Sequence, residues 1–344
     1  MKKRVLALVL AGAMAAGMTA CGEKKEAEAP AASEAKSEVA EESAEAPAEG
    51  GDYTIDVILK TTASEYWGYV MAGANAAAAD LGVKVDVKGA TSETAYDEQQ
   101  NMIETDLNSG AYDAIIIAPL QGDQVATLIS GTDIPIFAVD TRITAPEVIS
   151  FIGTGNVAAA TLGGEKAVEL AKANGWTEIK AIEIAGVQGD QTNSERMEGY
   201  AAGINGAGGE FLEDEVQYAD GVADKAVTAM EAIMQKYPDG IAIICANNDD
   251  MAAAAARVAK ENKAYENTIF LGFDGNKAAC ESILAGGQTM SVTQNAYGMG
   301  YQAVEAALNY LNGEEQPEFI EAPAGVVDPE TAQERMDLLA TYLG

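Results

Sequence analysis

Polar and charged residues follow the ends of five short apolar runs along the chain. They are Lys60 after 57–59, Asp140 after 137–139, Asn247 and Asn248 after 245–246, Asp274 after 272–273, and Gln294 after 292–293. Ligands of open parallel sheets bind outside the carboxyl ends of the strands, so these groups could line one polar cleft. The alternative is that each residue only caps the helix that follows, as Asn248 and Asp249 could do before 251–253. Because the set comes from both halves of the chain, we favour the cleft.

Residue types needed for most covalent chemistry are missing. The 344-residue chain contains no histidine, which removes the commonest general base and metal ligand. Cys245 and Cys280 lack CxxC spacing and are expected to be two core thiols, with a disulfide as the open alternative. We therefore predict no enzyme, no catalytic residue, no cofactor and no metal; the remaining enzyme hypothesis is a glycosidase that uses Asp140 and Asp274 as its carboxylate pair.

The first twenty residues have the pattern of an export signal. Three basic residues at 2–4 precede an apolar stretch, 5–16, that is too short to span a bilayer. The segment ends in Met18-Thr19-Ala20-Cys21 and resembles the leader of a bacterial lipoprotein, in which Cys21 would carry the lipid. A plain secretory signal with an incidental cysteine is the alternative. Residues 1–20 are thus the predicted signal peptide, and two acyl chains on Cys21 would anchor the protein to the membrane.

Residues 21–52 are rich in Glu, Ala, Ser and Pro and cannot bury enough apolar surface to fold. We expect a disordered acidic tether of about 30 Å r.m.s. span. The leader carries three basic residues and the tether ten acidic against three basic residues, which leaves a net charge of −29 for residues 53–344 out of −33 for the whole chain. Such a surface repels nucleic acid, so no nucleic-acid partner is expected.

From Tyr53 onward, short β-branched runs alternate with longer Ala-rich amphipathic segments, which is the βαβ pattern. The predicted strands are 54–59, 83–87, 114–118, 136–139, 179–184, 241–246, 269–273 and 290–293. The predicted helices are 66–81, 96–107, 157–173, 194–204, 223–237, 251–261 and 298–311. Nearly continuous apolar strands predict parallel sheets covered on both faces. About 290 residues exceed what one core holds, so two lobes are expected.

Six ordered motifs make the chain from Tyr53 onward similar to the periplasmic sugar-binding proteins of ABC importers. They are 57–61 with Tyr66-Trp67, 135–140, 194–200, 245–252, 272–275 and 292–294. The ribose-binding and allose-binding types are the relatives that these motifs resemble most. The opening 59–61 and the pair Ser92-Glu93 resemble the allose-binding type in particular.

The resemblance implies an α/β fold of two Rossmann-like lobes with parallel sheets, joined by a three-strand hinge (the type 1 periplasmic binding protein fold). The hinge crossings are expected near 153–156, 294–296 and 321–325. The N-terminal lobe would comprise 53–154 and 295–322, and the C-terminal lobe 155–294 and 323–344.

The resemblance also implies which residues bind the ligand. Carboxylates would accept hydrogen bonds from sugar hydroxyls, cations would donate, amides would do both, and an aromatic ring would cover the apolar face. The predicted ligand-binding residues are Lys60, Ser64, Tyr66, Trp67, Asp140, Thr141, Arg142, Arg196, Asn248, Asp274 and Gln294. First-turn packing is the alternative for Tyr66 and Trp67, and a surface salt bridge for Arg196. Gly221 stands where relatives carry a large aromatic residue, so stacking on the second face of the sugar is not expected from that position.

The implied function is that of a lipid-anchored, extracytoplasmic solute-binding protein. It would act as a monomer, capture a monosaccharide between its lobes and deliver it to an ABC transporter permease. The alternative is a ligand-sensing component of a chemoreceptor or two-component system that binds a sugar or furanose-like signal.

Overall fold

The structure is a computed structural model that describes residues 52–343. The predicted leader, Cys21 and the tether up to residue 51 lie outside the described residues, and so does Gly344. Within the described range, no helix is both long and apolar enough to cross a bilayer.

Thirteen strands are formed between residues 52 and 343. Their bounds are β1 Thr54–Leu59, β2 Lys84–Gly89, β3 Ala114–Ile117, β4 Ile136–Val139, β5 Val148–Thr154, β6 Lys180–Ala185, β7 Glu210–Phe211, β8 Gln217–Tyr218, β9 Ile243–Ala246, β10 Ile269–Asp274, β11 Met290–Thr293, β12 Phe319–Ala322 and β13 Gly325–Val327. All eight predicted strands are present, and their ends differ from the predicted bounds by at most two residues.

Ten α-helices connect and flank these strands in the same range. They are α1 Glu65–Leu81, α2 Tyr96–Ser109, α3 Gly122–Leu128, α4 Asn156–Ala173, α5 Gln191–Gly206, α6 Ala223–Lys236, α7 Asp249–Ala259, α8 Lys277–Leu284, α9 Ala296–Leu311 and α10 Ala332–Leu343. The seven predicted helices are confirmed. The sequence pattern missed α3, α8 and α10, because α3 and α8 are only about two turns long and α10 follows the last predicted strand without a clear apolar stripe.

The strands form two separate sheets, which confirms the predicted two-lobed α/β fold. The first sheet has the order β12-β5-β4-β3-β1-β2 and is parallel throughout. The second has the order β13-β11-β10-β9-β6-β7, with β8 also paired to β6. One departure from the prediction is β13, which runs antiparallel to β11 at the edge of the second sheet. Strands of two or three residues, such as β7, β8 and β13, are too short to show a sequence pattern.

Each sheet is buried on both faces, as near-continuous apolar strands require. In the first lobe, Val57 packs toward α1 and α9, whereas Ile58 packs toward α2 and α3. In the second lobe, the neighbouring residues Leu271 and Phe270 pack into two different cores, one on each face of the sheet. Cys245 and Cys280 are free buried thiols, so the core-thiol prediction is confirmed and the disulfide alternative is excluded.

The chain passes from one sheet to the other three times, between β5 and α4, between β11 and α9, and between β12 and β13. The C-terminal helix α10 contacts both lobes. Its Ala332 packs with Cys280 and Val327 of the second lobe, whereas Leu339 belongs to the core of the first. Because α10 contacts both lobes, the assignment of 323–344 to the C-terminal lobe stays a prediction.

Candidate functional site

A cavity of about 280 Å³ lies between the two sheets, at the carboxyl ends of their strands. Nine of the eleven predicted binding residues line it: Lys60, Ser64, Tyr66, Trp67, Asp140, Arg196, Asn248, Asp274 and Gln294. Its volume is near the lower end of the roughly 300–1,000 Å³ that small-molecule sites occupy. We refer to this cavity as the cleft.

The wall from the first lobe combines two aromatic rings with carboxylates. The rings of Tyr66 and Trp67 meet edge to face, with centroids 5.1 Å apart. The Tyr66 hydroxyl donates to Oδ1 of Asp140 at 2.6 Å, and burial together with Asp140 raises the pKa of Tyr66 well above its usual value. The Trp67 indole N–H donates to Oε1 of Glu93 at 2.9 Å. These bonds fix both rings, so the aromatic groups lie at the cleft surface in set orientations.

Arg196, in α5, forms the centre of the wall from the second lobe. Its Nε donates to Oδ1 of Asn156 at 3.0 Å and its Nη1 to the carbonyl of Asn247 at 2.7 Å. The guanidinium carbon lies 3.8 Å from the centre of the Phe273 ring, and Nη1 lies 3.9 Å from Oδ1 of Asp274. Arg196 is 5% exposed, which rules out the alternative of a surface salt bridge.

Asp274 ends β10 and joins a chain of hydrogen bonds across the base of the cleft. Gln294 donates through Nε2 to Asp274 at 2.7 Å and accepts from the Thr154 hydroxyl at 2.8 Å. Burial raises the pKa of Asp274 well above its usual value, while the charge of Arg196 opposes that rise. The next residue has to be glycine, because a Cβ on Gly275 would lie 2.5 Å from Cγ2 of Thr293.

The backbone is strained at the cleft. Asp140 (φ 63°), Asp220 (φ 50°) and Asp274 (φ 122°) are the non-glycine residues with positive φ among the described residues, and all three line the cleft. Such conformations cost about 1–3 kcal/mol each and cluster at binding sites. The backbone angles thus indicate the cleft as a binding site separately from the polar side chains that line it.

Of the polar strand-end residues named from the sequence, Asn248 is the one whose side chain caps the helix that follows, α7. Its Oδ1 accepts from the N–H of Met251 at 3.0 Å, and its amide donates to the Gly221 carbonyl at 3.1 Å. Asn276 caps α8 and Asn295 caps α9, so Asp274 and Gln294 are left to face the cleft. Asp249 does not cap α7 either, because its carboxylate accepts from Gln288 and Ser291 in the core.

Several contacts join the lobes at the edge of the cleft, among them the hydrogen bonds that Glu65 of α1 accepts from the backbone N–H groups of Lys277 and Ala278. The Lys60 ammonium lies 2.9 Å from Oδ2 of Asp190, and the hydroxyls of Thr141 and Thr192 are 3.1 Å apart. Burial opposes the charge on Lys60, but Asp190, Glu93 and Asp140 together raise its pKa. Burial likewise opposes the charge on Asp190, and Lys60 holds the pKa of that carboxyl below its usual value.

Thr141 and Arg142 lie outside the cleft, contrary to the expectation from their place beside Asp140. The chain turns sharply there, with the Thr141 N–H donating to the Val139 carbonyl at 2.7 Å. Both residues line a second cavity of about 340 Å³ between 121–124 and 187–191. Arg142 stacks on Phe151, its guanidinium carbon 4.4 Å from the ring centre, and Thr141 supports the site indirectly by donating to Oδ2 of Asp140 at 2.7 Å.

Several residues that line the cleft are absent from the predicted ligand-binding set: Glu93, Asp190, Asn193, Asp220 and Asp250. Glu93 lies in the loop after β2 and Asp190 in the loop after β6, so their strands indicate the edge of the sheet but not where these side chains lie along it. No group of three potential acidic or cysteine ligands close enough to hold a metal ion occurs between residues 52 and 343.

Comparison with known proteins places these features in a family. A family model described as "Periplasmic binding protein domain" matches residues 55–315. The chain is 28% identical over 275 residues to the ribose import binding protein of Bacillus subtilis, covering 79% of this chain and 86% of the relative. It is 28% identical over 254 residues to the D-allose-binding periplasmic protein of Escherichia coli, covering 71% and 80%.

Solved structures show the same fold. A carbohydrate transporter solute-binding protein from Agrobacterium radiobacter, in complex with D-arabinose, superimposes with a TM-score of 0.77 at 26% identity, covering 84% of this chain and 98% of that one. A solute-binding protein of an ABC transporter from Bacillus halodurans, with bound myo-inositol, gives 0.74 at 22% identity, covering 84% and 98%; at that identity the likeness concerns the fold alone.

Proposed function

The chain belongs to the periplasmic binding protein family, and on that premise we propose that it captures a monosaccharide between its two lobes and delivers it to an ABC transporter permease. One observation carries this proposal. Strand ends from both sheets bring carboxylate, amide, cationic and aromatic groups around a single cavity of about 280 Å³. The similar proteins described above, which bind or import ribose, allose and arabinose, support the choice of a sugar.

Each group in the cleft has a chemical role toward a polyhydroxylated ring. Asp140 and Asp274 would accept hydrogen bonds from neighbouring hydroxyls, and Arg196 would donate to hydroxyl or ring oxygens. Gln294 and Asn248 each keep a second amide N–H for the ligand, while the Asn248 oxygen caps α7. The ring of Trp67 would cover the apolar C–H face. No covalent step is proposed, since the proposed action is capture and release.

A thermal-shift screen over pentoses, hexoses, deoxysugars and polyols tests this function. A ligand that binds only the folded state stabilises it by about 2.7 kcal/mol at a hundredfold excess over its dissociation constant. We expect at least one monosaccharide to raise the melting temperature of residues 53–344. If no sugar does so, and a different ligand class does, the proposal is wrong.

We further propose that closure of the lobes accompanies binding, because the site is split between them and three chain crossings can absorb a rotation. Small-angle scattering should give a smaller radius of gyration with the sugar than without it. The Lys60–Asp190 contact would then form on closure. An unchanged radius of gyration at saturating sugar would count against closure.

Anchoring of the protein through Cys21 is a separate proposal that rests on the sequence. Replacing the thiol in Cys21→Ser should release the protein from the membrane fraction and leave sugar binding intact. Retention of this variant in washed membranes would contradict the anchor.

A further inference from the structure

The mouth of the cleft differs from its base, because a residue without a side chain lies there beside a carboxylate that forms no ion pair among the described residues. Gly221 has φ of +74° and no side chain, and a Cβ placed on it would approach only Nδ2 of Asn248 at 3.6 Å and Oε2 of Glu93 at 3.7 Å. Glu93 uses Oε1 to accept from the Trp67 indole. Its Oε2 accepts no hydrogen bond from any residue that the structure describes.

The charges that line the cleft are unbalanced. Six carboxylates line it, and the lining cations are Lys60 and Arg196. The carboxylates are Glu93, Asp140, Asp190, Asp220, Asp250 and Asp274. Asp190 is paired with Lys60, Asp220 with Lys225, and Asp274 lies beside Arg196. Glu93, Asp140 and Asp250 form no ion pair among the described residues, although Glu93 and Asp140 lie near enough to Lys60 to raise its pKa. Even with Lys225 counted, the six carboxylates outnumber the three cations.

We propose that the cleft selects a monosaccharide that carries a protonated amine, an amino sugar, and that Glu93 binds this amine in the space beside Gly221. The inference rests on the proposed sugar-binding function and names the class of sugar. A cleft of negative potential attracts cationic ligands and repels anionic ones. A charge-assisted hydrogen bond from an ammonium group to a carboxylate is about twice as strong as a neutral one.

The arrangement around Glu93 favours an amine in the ligand over a second role in holding Trp67. Holding the indole needs one acceptor oxygen, which a glutamine would supply equally well. The negative charge and the second oxygen are therefore left for a donor that enters from the cleft. A sugar carboxylate or phosphate in the same place would meet Glu93 at close range, so sugar acids should bind less well than either neutral or amino sugars.

The test is a titration series in which only the charge of the sugar changes. Isothermal titration calorimetry would compare D-glucosamine, D-glucose and D-glucuronate, and the equivalent galactose series, on the wild type, Glu93→Gln and Glu165→Gln. Glu165 is an exposed residue of α4, so its variant makes the same charge change away from the cleft. The N-acetylated sugars serve as uncharged derivatives of the same size.

In the wild type and in Glu165→Gln, we expect an amino sugar of at least one series to bind about 10-fold more tightly than its neutral parent, and the sugar acid to bind most weakly. In Glu93→Gln the ratio of amino sugar to parent should fall toward one. Equal or tighter binding of the neutral sugars by the wild type would overturn the inference and leave the sugar-binding function intact. A preference that survives in Glu93→Gln would also overturn it, whereas failure of every sugar, neutral ones included, would refute the proposed function itself.

Discussion

Two clusters of largely buried polar and charged residues in this protein invite comparison, since only one of them lines the cleft. The first, here the sheet cluster, comprises Asp56, Lys88 and Asp106 in the first lobe. Nζ of Lys88 lies 3.0 Å from Oδ1 of Asp56 and 3.0 Å from Oδ2 of Asp106. The second, here the cleft cluster, comprises Arg196, Asp274 and Gln294, joined at the base of the cleft.

Both clusters contain a carboxyl group whose pKa is raised by burial, Asp56 in one and Asp274 in the other. They differ in the backbone beneath them. Asp56 sits in the middle of β1 with regular strand pairing on both sides, whereas Asp274 ends β10 with φ of 122°. Burial of charge and a shifted pKa thus do not identify a binding site by themselves; the position at a strand end, the strained backbone and the adjoining cavity do. We expect the sheet cluster to govern stability and the cleft cluster to govern affinity.

The largest expected effect is on stability, from Lys88→Met. Removal of the ammonium leaves Asp56 and Asp106 without their shared partner in the lobe interior, which costs about 3 kcal/mol of the free energy of unfolding. Denaturant melts would measure this loss. Lys84→Met, on the same strand but with a largely exposed side chain, is the matched control and should change stability by less than about 0.5 kcal/mol. If Lys88→Met loses no more stability than the control, the sheet cluster does not determine the stability of the lobe.

The next effect is on affinity, from Asp274→Ala. Loss of charge-assisted hydrogen bonds to the sugar is worth about 1.5–3 kcal/mol, so the dissociation constant should rise about 10- to 100-fold. The free energy of unfolding should change by less than about 1 kcal/mol, because Asn276 and not Asp274 caps the following helix. Asp274→Asn, which keeps the shape, should lose less affinity than Asp274→Ala. Equal losses in the two variants would show that the negative charge of Asp274, and not the shape of its side chain, matters there.

The smallest effect concerns the pH dependence of stability, through Glu183 in β6. This side chain is fully buried, its oxygens accept no hydrogen bond in the described structure, and burial raises its pKa to about 8, against the effects of Asn247 and Arg196. Between the ordinary pKa of glutamate and about 8, the folded state binds more protons than the unfolded state. The contribution of Glu183 to stability is therefore present at low pH and lost as the pH rises through that window.

Glu183→Gln should accordingly be more stable than the wild type at about pH 8, by about 1 kcal/mol or more, and the gain should shrink toward pH 5. Glu178→Gln, an exposed neighbour, is the control. Melts of the three proteins at several pH values would show the difference in slope. Parallel stability profiles for the Glu183 variant and the wild type would mean that Glu183 keeps an ordinary pKa. Glu183 is buried like Asp56 but lies next to Asn247 and Arg196 of the cleft, so its variant separates the effect of burial from that of position.

Much of the cleft could be predicted from the sequence, and the reason is chain direction. A parallel strand delivers the residue at its carboxyl end to the same edge of the sheet as its neighbours. The sequence therefore placed Lys60 with Asp140 at one edge and Asp274 with Gln294 at another. Glu93 and Asp190 could not be placed with the same assurance. Each lies several residues beyond its strand, where the path of the loop depends on tertiary packing.

Local geometry explains the remaining differences between prediction and structure. Nothing in the sequence shows that Asp140 adopts positive φ, and that turn takes Arg142 out of the cleft to stack on Phe151. In the same way, α10 reaches the core of the first lobe through Leu339, a contact set by tertiary packing. Short elements and sharp turns are thus where periodicity stops being informative.

Binding of the sugar in the cavity at the strand ends can be measured by titrating the best sugar from the screen into Lys88→Met and Asp274→Ala beside the wild type. Isothermal titration calorimetry should give a wild-type dissociation constant for Lys88→Met and a constant about 10- to 100-fold larger for Asp274→Ala. Wild-type affinity in Asp274→Ala, with the folded protein intact, would contradict the claim and place the sugar elsewhere.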